Sequence, residues 1–258
     1  MRVGFCQFEI VHNDGERNLK TIVDMLSDVK ADLIVLPELA VSGYYFEDKE
    51  ALIRLSQSMN PTVISELTAL ANKTATSYVI GLAEVAEDQL FNTAYVIGKD
   101  GVIGKHRKIH LTNNETIFDE GNNLSIIDMG DYKIGIAICF ETWFPEFFRR
   151  LADQGADIVV SPSNFGGPWT PDVCLVRALE NSLPIILANR LGTEIIEGER
   201  ETFSGRSQII DGFGHRRVVA LEAPYVGFID IDLKAYHRHQ NIICDDVLKE
   251  RNKHRKLK

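Results

Sequence analysis

Lys133-Ile-Gly-Ile-Ala-Ile-Cys139-Phe-Glu-Thr-Trp-Phe-Pro-Glu146 changes character at its midpoint. Its first half is a short apolar run of the kind that forms a buried strand, and its second half carries Pro145 and Glu146, a proline and an acid of the kind that open helices. Cys139 stands at the change. At a strand-to-helix turn a side chain projects from the sheet edge, and nearby backbone N–H groups face any negative charge that develops beside it. A cysteine by itself is most often a small buried apolar residue. Its company in the sequence decides whether it is more.

Outward from this stretch, short β-branched or apolar runs recur at Val3–Phe8, Leu33–Leu36, Tyr78–Leu82, Ala94–Ile97, Ile158–Val160, Ile185–Ala188, Ser207–Ile210 and Val226–Ile231. These predict strands. Helical spacing places Leu19, Ile22, Val23, Leu26 and Val29 on one face and Phe144, Phe147, Phe148 and Leu151 on another, and a third helix is expected from Pro171 to Ser182. Hairpin-like spacing surrounds Gly98–Gly104. The pattern predicts an α/β fold, two mixed sheets with helices on their outer faces, in one domain without linker, repeat or low-complexity stretch.

Composition agrees. The 258 residues are 45% hydrophobic and 25% charged with a net charge of −9, and contain no apolar run long enough to span a bilayer. Met1–Phe8 is too short and too polar to serve as a signal peptide, which predicts a cytoplasmic protein with no membrane partner. Cys6, Cys139, Cys174 and Cys244 form neither CxxC pairs nor a disulfide framework and are expected to be thiols. The last ten residues, Lys249–Lys258, hold six Lys or Arg against one Glu. On an acidic body that would repel phosphate, this basic tail reads as a solvated end rather than a nucleic-acid arm.

Two further residues make Cys139 more than a buried thiol. Leu33-Ile-Val-Leu-Pro-Glu38 ends a buried strand on a carboxylate, and a desolvated carboxylate binds protons more strongly, as suits a general base. Lys105-His-Arg-Lys108-Ile-His-Leu111 brings a basic cluster to a strand end. An ammonium there would favour a thiolate and stabilise the oxyanion formed when that thiolate attacks a carbonyl.

In this order Leu-Pro-Glu38, Arg-Lys108-Ile-His-Leu and Gly-Ile-Ala-Ile-Cys139-Phe-Glu-Thr-Trp-Phe-Pro-Glu146 resemble the nitrilase or carbon–nitrogen hydrolase superfamily. The likeness continues through Gly155–Asn164, Arg177–Asn181, Ala188–Gly192 and Ser204–Ser207. It implies a four-layer αββα sandwich over residues 1–248 and a homodimer or larger homo-oligomer. It implies an amidase with Glu38 as base, Lys108 as electrostatic partner, Cys139 as nucleophile and Glu115 as a second, positioning glutamate. It implies neither metal nor organic cofactor. Gly205-Arg206-Ser207 departs from the usual Gly-His-Ser, at what is expected to be a supporting or interface position.

Phe140, Glu141 and Trp143 follow the nucleophile and are expected to line the substrate pocket, with Phe144 there or in the core. Simple carboxamides, including ω-amides of small acids, are the expected substrates. N-carbamoyl amines come second, because Trp143–Glu146 and Asn189–Glu194 resemble N-carbamoylputrescine amidases, and nitriles third. A Cys–His mechanism through His106 or His110 is the rival chemistry, although neither belongs to a Cys–His signature. The rival outside enzymes is a catalytically silent binding protein of the same fold.

Overall fold

The computed structural model describes residues 1–196, 198–236, 249, 250 and 253. Cys244 and most of the basic tail lie outside the described residues, while Cys6, Cys139 and Cys174 are free and buried. None of the described helices is long and apolar enough to cross a membrane.

The chain begins with β1 (Arg2–Gln7), α1 (Gly15–Leu26), β2 (Leu33–Val35), α2 (Lys49–Thr74) and β3 (Ser77–Ala86). The three strands run parallel, so each connection must cross over, and the helices are those crossovers. β4 (Gln89–Gly98) and β5 (Gly101–Arg107) then follow as an antiparallel meander.

The pattern recurs. β6 (Ile126–Asp128) leads antiparallel into β7 (Lys133–Ile136), followed by α3 (Pro145–Asp153), β8 (Ile158–Pro162), α4 (Thr170–Asn181) and β9 (Ile185–Ala188). β7, β8 and β9 are again parallel. β10 (Leu191–Ile196) and β11 (Glu199–Ser204) form a separate hairpin, β12 (Gln208–Ile210) and β13 (Arg216–Val219) extend the second sheet, and β14 (Tyr225–Asp230) returns to pair with β1. The two six-stranded sheets are ordered β14-β1-β2-β3-β4-β5 and β13-β12-β9-β8-β7-β6.

Burial defines the layers. Val3, Phe5, Val35 and Val79 of the first sheet pack with Ile136, Val160, Ile186 and Ile209 of the second. α1 and α2 cover the outer face of the first sheet through Ile22, Leu26, Val63 and Leu67. α3 and α4 cover the second through Phe147, Phe148, Leu151 and Ala178. The result is the expected αββα sandwich.

Three features differ from the sequence pattern. Although no helix was expected between Glu38 and Tyr78, α2 buries Leu52, Ser56, Met59, Val63, Leu67, Leu70 and Thr74 at helical spacing. Ser56 and Thr74 interrupt the apolar stripe but donate to the Leu52 and Leu70 carbonyls at 2.7 and 2.8 Å, and Pro61, which reads as a stop, is exposed. β5, β10, β11 and β13 also escape the pattern, because their residues are polar or partly exposed. Finally, the residues show no repeat, yet the βαβαβ topology occurs twice.

One close approach positions the residues after β2. Gly81 N donates to the Pro37 carbonyl at 3.0 Å, and Ala40 N donates to that of Gly81 at 2.8 Å. A Cβ on Gly81 would stand 2.5 Å from Glu38 Cα and 2.8 Å from Leu39 N, so only glycine allows the crossing. Gly81→Ala is expected to lower the unfolding free energy by about 1–3 kcal/mol in urea titrations. An unchanged midpoint would mean that the Pro37–Ala40 segment moves aside without cost.

Candidate active site

Three strand ends converge. Glu38 follows β2, Lys108 follows β5 and Cys139 follows β7, and the fold brings them together with Glu115 from the loop after β5. Lys108 Nζ donates to Glu38 Oε1 at 2.8 Å and to Glu115 Oε1 and Oε2 at 2.9 and 2.7 Å, with all three side chains inaccessible to solvent. Asn92 Nδ2 donates to both carboxylates at 2.7 Å, and Thr112 N donates to Glu115 Oε2 at 2.8 Å. Glu38 Oε2 has no partner.

The charges decide the resting state. Burial opposes the charge on Lys108, but Glu38 and Glu115 outweigh it and hold the ammonium well above the usual lysine range. Burial pushes the Glu38 carboxyl up, and the Lys108 and Asn92 contacts offset only part of that rise. Burial likewise raises the Cys139 thiol well above the ordinary cysteine range, and Glu38 adds to the rise while Lys108 opposes it. At rest the Cys139 side chain is therefore held as a neutral thiol. Lys108 does favour the thiolate, as expected of an ammonium beside a thiol, but burial and Glu38 outweigh it at rest.

Cys139 begins a short 3₁₀ turn, Cys139–Trp143, with its backbone in the left-handed region at φ +45°. Glu141 holds that turn. Its carboxylate accepts from Ile138 N and Ile109 N at 2.7 Å each and from His106 Nε2 at 3.0 Å, and neither Glu141 nor His106 is exposed. Burial alone would raise the Glu141 carboxyl, but His106 and the two amides bring it below the usual glutamate range.

This corrects the placement of Glu141 in the substrate pocket, since its oxygens are taken up by the protein. It ties the residue after Lys108 to the residue before Cys139. The histidines of the Cys–His alternative make other contacts: Glu141 engages His106, and His110 stacks on Phe144 with centroids 4.0 Å apart. Phe140 follows Cys139 and lies edge-on to Phe144 at 5.2 Å. Trp143 is 44% exposed, and it is its carbonyl that Arg177 engages, at 3.3 Å.

Residues 2–236 match the carbon-nitrogen hydrolase family. The chain belongs to that family. It is 37% identical over 258 residues to a nitrilase of Pyrococcus abyssi, covering 97% of each chain. It is 28% identical to an (R)-stereoselective amidase of a Pseudomonas species, covering 89% of this chain and 84% of the other. Its fold superposes on the crystal structure of a carbon-nitrogen hydrolase from Helicobacter pylori G27 with a TM-score of 0.83 at 24% identity, over 92% of this chain and 90% of that one.

Within this carbon-nitrogen hydrolase fold, several residues near the site carry no sequence signal that singles them out. Asn92 is a neutral amide in the middle of β4. Tyr44, whose hydroxyl lies 2.9 Å from Thr112 Oγ1, sits in the irregular segment after β2. Glu194 accepts from Tyr44 N and Tyr45 N at 3.0 and 2.9 Å and pairs with buried Arg190. The two charges in Asn189–Glu194 are the signal in the sequence that points to this pair. Arg206 donates to the Pro168 carbonyl at 3.1 Å, a supporting contact. A cavity of about 520 Å³, lined partly by Tyr45, Phe46, Asn113, Asn114 and Thr116, borders the segments that carry Tyr44 and Glu115.

Glu141→Gln keeps the size of the side chain but removes its charge and one acceptor. It is expected to cost about 1–3 kcal/mol in unfolding free energy and to slow alkylation of Cys139 by iodoacetamide. Wild-type stability with a wild-type alkylation rate would remove Glu141 from its role in holding the turn.

Proposed function

We propose that this carbon-nitrogen hydrolase is an amidase that cleaves a small carboxamide through a Cys139 thioester. The observation that carries the proposal is the buried Glu38 carboxylate, with one oxygen on Lys108 and Asn92 and the other free, beside a neutral thiol. A thiol of raised proton affinity needs a base close by, and Glu38 supplies one.

Glu38 Oε2 takes the thiol proton as Sγ attacks the carbonyl carbon. The carbonyl π-electrons move to oxygen, where Lys108 and the Phe140 N–H hold the oxyanion. When the tetrahedral intermediate collapses, the carbon–nitrogen bond breaks and Glu38 returns the proton to the nitrogen, releasing ammonia. Glu38 then takes a proton from water as its oxygen attacks the thioester. Collapse of that second intermediate returns the proton to Sγ and releases the carboxylic acid. Glu115 and Asn92 hold Lys108 and Glu38 in place throughout. The exposed Trp169, Val176 and Leu179 on and beside α4 support the homo-oligomer expected of the family.

Cys139→Ala is expected to abolish ammonia release from a panel of small amides and to prevent any acyl adduct in intact-protein mass spectra. Glu38→Gln should lower kcat/KM on the order of 100- to 10,000-fold, and Lys108→Met on the order of 100- to 1,000-fold. Turnover that survives Cys139→Ala would sink the proposal. Carbon dioxide released with the ammonia would instead assign an N-carbamoyl substrate, and an acid formed from a nitrile would assign nitrile hydrolysis.

The pH profile provides a separate check. Glu38 must be ionised to act and its proton affinity is raised, so kcat/KM should fall on acidification at a pH above the ordinary glutamate value of about 4.3. In Glu38→Gln the acid limb should disappear from whatever activity remains.

A further inference from the structure

Among the described residues, the buried side-chain polar atoms without a hydrogen-bond partner are Glu38 Oε2, Asn92 Oδ1, Arg149 Nη1 and both ends of the Asn164 carboxamide. All but the Arg149 atom belong to residues at the candidate site. Glu38 Oε2 is accounted for by proton transfer, but nothing in the reaction as derived uses the side chain of Asn164. Buried amides are rarely left with both donor and acceptor unmet.

Asn164 is fixed beside the nucleophile. β7 and β8 are neighbouring parallel strands, Ala137 N donates to the Val160 carbonyl at 3.0 Å, and the segments leaving the two strands carry Cys139 and Asn164. Cys139 Sγ donates to the Asn164 carbonyl at 3.6 Å. The main chain on either side is clamped: Ser163 N donates to the Ala188 carbonyl at 2.8 Å, while the Asn189 side chain accepts from Phe165 N at 3.0 Å and donates to the Phe165 carbonyl at 2.9 Å. Asn164 itself is 5% exposed.

We propose that Asn164 is a specificity-determining residue, whose carboxamide pairs with a second polar group on the acyl part of the substrate. The proposal rests on the amidase function above and narrows its substrate class. The recognised group is neutral and carries both a donor and an acceptor, as a hydroxyl or a second carboxamide does. A carboxylate would leave Asn164 Oδ1 unmet and bring a third negative charge to a site where Lys108 already faces Glu38 and Glu115. An ammonium would leave Asn164 Nδ2 unmet. With its main-chain carbonyl 3.6 Å from Sγ, Asn164 is placed to meet a group on the carbon next to the scissile carbonyl or the one beyond it. The preferred substrates are therefore small hydroxyamides or diamides rather than plain aliphatic amides.

The test compares kcat/KM for lactamide, malonamide and propanamide, by ammonia release, in the wild-type protein, Asn164→Leu and Asn164→Ser. The wild type is expected to favour lactamide or malonamide over propanamide by about 10-fold or more, because a site built to bond a polar group discriminates against analogues that lack it. In Asn164→Leu that ratio should fall at least about 10-fold, with Asn164→Ser between the two. A wild type that hydrolyses propanamide as well as the polar amides overturns the inference and leaves the amidase function standing. A ratio that neither substitution changes also overturns it. If no amide is turned over, both fall together.

Discussion

A single buried ammonium, Lys108, holds two carboxylates on strand-end segments that would otherwise repel each other. Removing that ammonium would leave the carboxylates unmatched in a medium that solvates them poorly, a change that typically costs about 3–5 kcal/mol. The surroundings answer the excess negative charge with neutral donors, Asn92 Nδ2 on both carboxylates and Thr112 N on Glu115. Lys108 and Glu38 come from the first sheet and Cys139 from the second, so the packing of Val35 and Val79 against Ile136 and Val160 sets how closely the Glu38 carboxyl meets the thiol. A second buried pair, Glu141 with His106, fastens the end of β5 to the turn after β7.

How much of this could be read in the residues depended on where each group sits. Glu38 and Cys139 each end an apolar run, which is visible without a structure, and Lys108 stands in a conspicuous basic cluster. Glu115 lies in a loop whose shape comes from tertiary hydrogen bonds, so only the family likeness pointed to it. Asn92 left no trace, because a neutral amide inside a strand looks like any other solvated position. Glu141 was misread for a physical reason: an acid two residues from a nucleophile suggests chemistry, whereas here it replaces the backbone acceptors that a tight turn lacks.

The layered class was legible because strand runs and amphipathic helices alternate, but the longest described helix was hidden. α2 depends on serine and threonine satisfying their hydroxyls within the helix and on a proline turned to solvent, which periodicity alone does not detect. The doubled topology was equally invisible, since packing preserves the order of elements while leaving side chains free to diverge. It gives the site a simple geometry. β2 and β8 occupy equivalent places in their halves, and the segments leaving them carry Glu38 and Asn164.

The left-handed backbone at Cys139 sets chemistry against stability. A side chain in that conformation is disfavoured by about 1–2 kcal/mol relative to the ordinary helical region, and glycine largely escapes the penalty. Glycine here would relax the turn and remove the thiol, so stability and the proposed chemistry pull this position in opposite directions.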